Sequence, residues 1–428
     1  MTDSSAHLAP TGTSGVPLRQ DASVIALVGT AHLISHFSQL LLAPLFPWLK
    51  DAFSVSYTEL GLLMTLFFVV SCVVQASSGF VVDRFGPRPV LFAGLGLLGV
   101  AAFGYALSTS YPMLAAFAVL AGVGNGVFHP VNYTLLNRKI SALRLGHAYS
   151  AHGITGSLGW ALAPALLVPL AFAYSWRVAL AAAGVLILSV LAVLVWHRTK
   201  LSLPALAAVG LDSTANAATS GTGAPPMAGS FDFARIPAVW MCLFFLVLYG
   251  IVLSAVQAFA PEAARQLHGM PIGLVAMCLS AYMVCSAAGM VLGGFLAAQA
   301  ARAEAVIAVG LLLAAATALW LGLGNLPGAL VPVLFGVMGF GSGIGGPSRD
   351  LIIKRATPVK ASGRVYGLVY SGFDVGQAAA PLAFGMLLDQ QRYVGVFMAL
   401  ALVQALLIAT VFRVKRVRRA LLPTVSPA

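Results

Sequence analysis

The sequence predicts an all-α membrane protein whose twelve transmembrane helices form two parallel-repeat bundles of six helices each. Three observations predict this fold class: few charges, twelve long apolar segments, and a repeat relating the two halves of the chain. Of the 428 residues, 60% are hydrophobic and 8% are charged, and the mean hydropathy is +0.94. Because soluble domains carry roughly 25% charged residues, this chain must use lipid as its solvent over most of its area.

Each predicted span is a run of about 20 mainly apolar residues, the length that crosses the hydrocarbon core of a bilayer. Numbered 1 to 12, the spans cover 23–47, 58–80, 89–109, 112–136, 147–172, 177–196, 237–259, 271–297, 304–323, 329–353, 364–388 and 393–412. They divide the chain into five predicted parts. These are an N-terminal tail (1–22), a first bundle (23–196), a linker rich in Ala, Ser, Thr and Gly (197–236), a second bundle (237–412) and a basic tail (413–428).

The distribution of positive charge predicts that the N-terminus lies inside. In that orientation nineteen of the 24 Lys and Arg residues fall in cytoplasmic segments, and Arg349 falls within a span. The four that fall outside are Lys50, Arg177, Arg265 and Arg392. Positive residues concentrate in cytoplasmic loops. We therefore expect a multi-pass protein of a bacterial-type inner membrane, with both termini and the linker in the cytoplasm.

The two halves repeat each other when the first is shifted by 217 residues. Glycines of span 4 then fall on glycines of span 10, and span 5 falls on span 11 in the same register. The matched pairs include Gly122 with Gly339, Gly126 with Gly343, Gly159 with Gly376, and Pro164 with Pro381. Parallel six-helix repeats with a site near the bilayer midplane are a known transporter architecture.

Composition and spacing also exclude several function classes. The formal net charge of +12 comes from short loops and not from a basic, aromatic-interleaved patch, so we expect no nucleic-acid partner. The sequence has no phosphate-cradling Gly-Lys-Ser/Thr loop and no spacing of catalytic groups, which argues against ATP as the energy source and against an enzyme. The four cysteines lie in apolar segments without metal-ligand spacing. We therefore expect no disulfide, no metal and no cofactor.

A dense motif follows span 2, with Gly79, Asp83, Arg84, Gly86 and Arg88 in order. Gly79 would let helix backbones approach closely, and Gly86 would permit a sharp turn. Asp83 could cap a helix start or pair with an Arg, forming a gate latch that differs between two access states. The alternative is that Arg84 and Arg88 only hold the topology.

This motif resembles the signature between helices 2 and 3 of the major facilitator superfamily, in which Gly, Asp, Arg, Gly and Arg recur at this spacing. Together with the repeat, the resemblance covers the whole chain and implies the major facilitator fold. The segments Ser35-His36-Phe37 and Phe128-His129-Pro130, with Gly146 to Ser150 in span 5, resemble the fosmidomycin-resistance branch, a group of drug exporters. The chain departs from that branch at Leu40 and Val131, where the branch carries acids.

Polar and ionisable residues within spans are the candidates for the cavity or for ion coupling, because such groups are costly in lipid. His32 and His36 share one face of span 1, and His129 lies in span 4. We expect cavity histidines that are hydrogen-bonded and able to carry a proton near neutral pH; helix packing is the alternative. Gln39 and Asn125 are further polar candidates.

Two charged candidates lie in the second half. Asp374 is ten residues past Arg364, which places it near the middle of span 11. It could couple transport to protons, form a structural pair with Arg349, or serve only in packing or capping. Arg349 lies about one turn inside span 10 and could instead extend to the membrane interface. We expect Asp350 to pair with Lys354, four residues away.

Small residues and prolines predict close packing and bends in spans 5 and 11. The residues concerned are Gly153, Gly156, Gly159 and Pro164, with their equivalents Gly376 and Pro381.

The expected function is secondary active transport by a monomer, with a small-molecule substrate, protons as the coupling ion and the lipid bilayer as surroundings. Proton-driven efflux of a small compound or drug by alternating access is the leading hypothesis. A proton-coupled importer of a nutrient or organic anion is the alternative within the same fold. A transport-dead sensor or scaffold is the alternative from another class, and intact gate residues argue against it.

Overall fold

The computed structural model describes residues 18–141, 144–203, 236–297, 303–356 and 362–421, and every regular element within them is helical. Most of the predicted N-terminal tail and most of the predicted linker lie outside the described residues. The side chains of Asp83, Lys354, Arg355 and Arg364 also lie outside the described part of the chain.

The first half contains eight described α-helices, in the order α1 (Leu18–Gln39), α2 (Phe46–Phe53), α3 (Tyr57–Phe85), α4 (Pro87–Leu107), α5 (Tyr111–Asn125), α6 (Phe128–Lys139), α7 (Leu145–Ala173) and α8 (Trp176–Trp196). The second half continues with α9 (Pro237–Ala258), α10 (Ala260–His268), α11 (Ile272–Ala297), α12 (Ala303–Leu323), α13 (Val331–Ala356), α14 (Ser362–Asp389) and α15 (Tyr393–Leu421).

Eleven stretches of the described chain are long and apolar enough to cross a membrane. The remaining long helix, α14, has 28 residues, about 42 Å at the usual rise per residue. It is therefore long enough to span, although Asp374 and Gln377 reduce its apolar character. With α14, the described helices account for the twelve predicted spans.

Two spans that we predicted as continuous are interrupted: span 1 between α1 and α2, and span 4 between α5 and α6. Span 7 ends at Ala258, within one residue of its predicted end, and after a break the short helix α10 follows. A proline follows each break within the first three residues of the next helix: Pro47, Pro130 and Pro261. Proline has no N–H to donate to the preceding turn and is favoured at helix starts, which explains why the helices restart there.

Two predicted boundaries also differ from the structure. Asp21, which we assigned to the N-terminal tail, lies in the first turn of α1 and is fully buried. Its Oδ2 atom accepts hydrogen bonds from Ser141 and from Arg144, at 2.7 Å in both cases. These bonds fasten the start of α1 to the loop after α6. At the other end of the chain, α15 continues to Leu421, beyond the predicted end of span 12 at residue 412.

The same close helix contact occurs in both halves. In the second half, a Cβ at Gly339 would lie 2.1 Å from the carbonyl oxygen of Tyr282, and one at Gly343 would lie 2.0 Å from that of Ser286. In the first half, Gly122 and Gly126 stand in the same way against the carbonyls of Phe67 and Ser71. Only glycine permits backbones this close, and the matching contacts are the structural counterpart of the sequence repeat.

The halves meet along two helix pairs, α3 with α14 and α7 with α11. In each pair, a hydroxyl of one half donates to a carbonyl three residues before a proline of the other half. Thr65 donates to Ala378 at 2.7 Å, before Pro381, and Ser280 donates to Ala161 at 3.3 Å, before Pro164.

We call the end that carries Ser54–Ser56 and Gln390–Arg392 the closed end, and the end that carries Arg84, Arg88 and Arg144 the basic end. Along α3, residues that meet α14 recur from the closed end inward, at Gly61, Thr65 and Gln75. Gly79 continues this stripe, yet no described atom lies within 4 Å of the position its Cβ would take. The same is true of Gly153 on α7. The halves therefore meet at the closed end and separate toward the basic end.

Candidate functional site

Four histidine rings lie together where α1, α6 and α7 meet. The ring centroid of His32 is 3.5 Å from that of His152, 4.1 Å from that of His36 and 5.5 Å from that of His129. His32, His36 and His152 are buried, and His129 is half-buried. The structure thus brings the three predicted histidines together and adds a fourth, His152. We call these four residues the histidine cluster.

Gly156 provides the space that two of these rings occupy. A Cβ at this position would lie 2.8 Å from Cε1 of His36 and 2.9 Å from Nε2 of His32. On the other side, Asn132 lies 3.3 Å from Nε2 of His152. The buried Nδ1 atom of His32 has no hydrogen-bond partner among the described residues.

The histidine cluster contains one stacked pair of rings, and His129 contacts His32 and His36 edge-on. The rings of His32 and His152 are stacked, with an interplanar angle of 15°. Within the described ranges, no group of three or more His, Cys, Asp or Glu side chains could hold a metal ion. The chemistry available to the cluster in this arrangement is proton binding and hydrogen bonding.

A polar network joins the cluster to α3 and α5. Asn125, at the end of α5, accepts hydrogen bonds from Ser35 at 2.9 Å and from Gln39 at 3.4 Å, and it donates to Ser71 at 2.9 Å. Gln39 in turn accepts from the indole N–H of Trp160 at 2.9 Å. The ring of Trp160 packs on the histidine cluster. The predicted polar candidates Gln39 and Asn125 are therefore the centre of a network that links four helices.

Asp374 lies in the contact between the halves. Its Oδ2 atom accepts a hydrogen bond from the side-chain amide of Gln75 on α3, at 3.0 Å. The carboxyl group is half-buried. This contact gives the predicted mid-helix acid a neutral partner in the opposite half.

Arg349 does not form the bridge to Asp374 that we considered. Its Nε atom donates to Asp350 at 2.9 Å, and its guanidinium lies 4.8 Å from the ring centroid of Tyr249. Asp350 is adjacent to Arg349 in the sequence, whereas Asp374 is 25 residues away, and the face of the Tyr249 ring attracts the guanidinium. The predicted pair of Asp350 with Lys354 lies outside the described part of the chain, because the Lys354 side chain is not described.

The gate motif forms a tight turn between α3 and α4. Gly86 is the one residue between these helices, and its φ of 80° is a conformation that favours glycine. Arg84 is exposed, with its guanidinium 5.6 Å from the Phe85 ring, and Arg88 is half-buried. The predicted close backbone approach at Gly79 is wrong for this conformation, because α3 has left α14 at that level. Asp83 lies in α3, and its side chain is outside the described part.

The packing glycines divide into three kinds. Gly159 and Gly376 allow close helix contact, since their Cβ atoms would lie 2.2 Å and 2.1 Å from the carbonyl oxygens of neighbouring helices. Gly156 faces rings instead of backbone. Gly153 faces open space, so its predicted packing role is wrong in this arrangement. Pro164 and Pro381 lie inside their helices, as predicted.

Sequence analysis missed three residues of this site: His152, Gln75 and Trp160. His152 carried a usable signal, because it is an ionisable residue inside span 5 and precedes Gly156 by one helical turn. Gln75 and Trp160 could not have been identified from the sequence, since their roles depend on hydrogen-bond partners on other helices.

A family model described as Major Facilitator Superfamily matches residues 28–299 and 264–427. Similar curated proteins include the uncharacterised MFS-type transporter YfnC of Bacillus subtilis (28% identity), the fosmidomycin resistance protein of Escherichia coli (26%) and the membrane sensor protein UhpC of Salmonella typhimurium (33%). These alignments cover 42%, 39% and 33% of this chain, and 44%, 41% and 32% of the respective relatives. The chain therefore spans less than half the length of these curated relatives.

Among solved structures, the chain resembles a bacterial homolog of the human lysosomal transporter Spinster, in an inward-facing and unoccupied conformation. The TM-score is 0.74 at 15% sequence identity, over 96% of this chain and 100% of that chain. The likeness is one of fold. From the extent of the family match and this shared fold, the chain belongs to the Major Facilitator Superfamily.

Proposed function

We propose that this protein is a secondary transporter that exports a small compound in exchange for protons. In this proposal the six-helix halves, 23–196 and 237–412, alternate between openings at the two membrane faces. The basic end, the linker and both tails lie in the cytoplasm. The excess of Lys and Arg at that end supports this orientation.

The observation that carries the proposal is the Asp374–Gln75 contact. A carboxyl group at mid-membrane is costly when charged, and it is stabilised by protonation, pairing or water. Here it bridges the two halves where they begin to separate. Loss or gain of a proton would change the strength of this bridge, and so the balance between two arrangements of the halves.

The histidine cluster supports the same proposal from the first half. Histidine is the side chain whose charge changes near neutral pH. Because the rings lie 3.5 to 6.4 Å apart, charging more than one would be strongly unfavourable. The cluster would therefore hold no more than one added proton at a time, shared among four residues on three helices.

Two comparisons support export and alternating access. The relative from Escherichia coli is named for fosmidomycin resistance, and the similar solved structure is inward-facing. An inward-facing state corresponds to a chain that is open at its cytoplasmic, basic end.

The proposal is tested in an Escherichia coli strain that lacks its own fosmidomycin resistance protein, with fosmidomycin as the probe. Expression of the chain should raise the resistance of the strain and lower cellular fosmidomycin, and a protonophore should abolish both effects. Asp51→Asn, at an exposed acid for which no hydrogen bond or ion pair is described, is the control for Asp374→Asn. Increased uptake would favour the importer. An unchanged level of fosmidomycin and of a wider compound panel would favour a sensor, the printed role of the relative UhpC.

A further inference from the structure

The closed end is held by a carboxylate of one half seated on a helix start of the other. Asp389, the last residue of α14, accepts a hydrogen bond from the backbone N–H of Tyr57 at 2.8 Å. It accepts two more from Thr58, from the backbone N–H at 2.9 Å and from the hydroxyl at 2.6 Å. Tyr57 and Thr58 are the first two residues of α3. The contact joins residues more than 330 positions apart in sequence.

This carboxylate completes the cap of α3. Ser56 and Glu59 form a capping box, in which Ser56 accepts from the Glu59 N–H and Glu59 accepts from the Ser56 N–H. The N–H groups of Tyr57 and Thr58 remain, and Asp389 takes both. A helix start has unsatisfied donors and a partial positive charge, and both favour a carboxylate. The cap of α3 is therefore complete only while the two halves are together.

A second carboxylate, which is buried, lies beside the exposed carboxylate of Asp389. Glu262 on α10 accepts from the Tyr57 hydroxyl at 3.1 Å and from Arg265 at 2.8 Å through two nitrogens. The hydrogen bond to Glu262 is the main cause that raises the pKa of Arg265 above its usual value. Tyr57 thus contacts the second half through both its backbone and its side chain.

The region beneath these contacts is tightly closed. A cavity of about 20 Å³ lies between the halves, lined by Pro44, Phe46 and Pro164 on one side and by Gln257, Pro261 and Leu279 on the other. That volume holds about one water molecule. The contacts of Asp389 and Glu262 therefore lie over an interface that admits no substrate in this arrangement.

We propose that Asp389 and Glu262 form the latch of the closed end, and that release of the Tyr57 and Thr58 donors from Asp389 is the step that opens that end during transport. The inference rests on the proposed function in one respect: the closed end must open for the substrate to leave. The latch lies at the N-terminal end of α3, whereas the predicted gate motif lies at its C-terminal end. The same helix would then hold the closed end shut in one access state and the basic end shut in the other.

The test measures distances between the halves by double electron–electron resonance on the full chain in lipid nanodiscs. The four native cysteines, which are free thiols, are replaced by alanine. One label pair, at Thr109 and Asn325, reports on the closed end. A second pair, at Thr199 and Ala305, reports on the basic end. All four positions are exposed.

Asp389→Ala removes all three hydrogen bonds from Tyr57 and Thr58. Because the carboxylate is exposed and water can replace it, we expect the long-distance population at the closed end to rise about tenfold, which corresponds to about 1.4 kcal/mol. The long-distance population at the basic end should fall at the same time, because the two ends alternate. Asp51→Ala is the matched control. Asp51 is an exposed acid on the same surface, with no hydrogen bond or ion pair described for its side chain, and its loss should leave both distributions unchanged.

Two results would overturn the latch: closed-end distances in Asp389→Ala that match those of Asp51→Ala, or a wider closed end without narrowing at the basic end. The second would mean only local loosening. If Asp389→Ala is not monodisperse, Asp389→Asn, which keeps one acceptor, is judged by the same criteria. Since no substrate or proton gradient is used, the latch and proton-driven export can fail independently.

Discussion

At the scale of single residues, the polar groups of the candidate site take partners from other helices. The histidine cluster draws on α1, α6 and α7, and Asp374 on α14 is bound by Gln75 on α3. In lipid, such groups find no water to satisfy them. Their positions are therefore fixed by helix packing, and small changes in packing should alter them.

Gly156→Ala should destabilise the protein, because its Cβ would lie within 3 Å of the rings of His32 and His36. Overpacking of this kind costs about 1–3 kcal/mol. The matched control is Gly153→Ala, three residues away on the same helix, where no described atom lies within 4 Å. Thermal unfolding midpoints of the purified variants measure the difference. Equal midpoints would show that the rings can move aside without cost.

Asp374→Asn should separate proton coupling from structure. The amide can still accept a hydrogen bond from Gln75 but cannot exchange a proton. We therefore expect fosmidomycin exchange across proteoliposomes to persist while accumulation driven by a pH gradient is lost. Asp51→Asn, at an exposed acid for which no hydrogen bond or ion pair is described, should retain both activities. Full gradient-driven accumulation by Asp374→Asn would remove the coupling role.

At the scale of elements, the prolines of α7 and α14 determine how the halves touch. Proline disturbs the hydrogen bonding of the turn before it, and in both helices a carbonyl of that turn accepts a hydroxyl from the opposite half. The two contacts are related by the sequence repeat, since Ala161 and Ala378 are 217 residues apart. They lie between the closed end and the Asp374–Gln75 contact, where a pivot between the halves would be expected.

Removing these hydroxyls should weaken the contact between the halves. Thr65→Val and Ser280→Ala should each lower stability by about 0.5–1.5 kcal/mol, the usual worth of one hydrogen bond. The double variant should lose close to the sum. Ser189→Ala is the control, because Ser189 is an exposed residue that bonds only within its own helix among the described contacts. A double variant as stable as the control would argue against the pivot.

The turn between α3 and α4 is the second element with a testable role. Asp83→Asn should strongly reduce transport while leaving membrane insertion unchanged, because the acid is predicted to act as a latch at the basic end. Asp51→Asn, at an exposed acid of the closed end for which no hydrogen bond or ion pair is described, serves as a control for the loss of one acid. The readouts are fosmidomycin resistance and the amount of protein in the membrane. Normal resistance in a well-expressed Asp83→Asn strain would remove the latch role.

At the scale of the whole molecule, the repeat and the apolar runs were enough to predict the twelve-helix fold, because both are properties of the linear sequence. The breaks in spans 1 and 4 and the end of span 7 could also be located from the sequence, since Pro47, Pro130 and Pro261 mark them. The partner of Asp374 could not be predicted from the sequence, because Gln75 lies about 300 residues away. Which end of the molecule is closed was likewise not predictable, since the contacts of Asp389 with Tyr57 and Thr58 are fixed only by packing.

Proton-driven export is most directly tested by proton flux in inverted membrane vesicles that hold an imposed pH gradient. Addition of fosmidomycin should release protons from vesicles containing the wild-type chain, detected by recovery of a pH-sensitive dye, and should not do so with Asp374→Asn. Vesicles in which fosmidomycin enters at the same rate with and without the gradient, and in which no protons leave, would contradict the account.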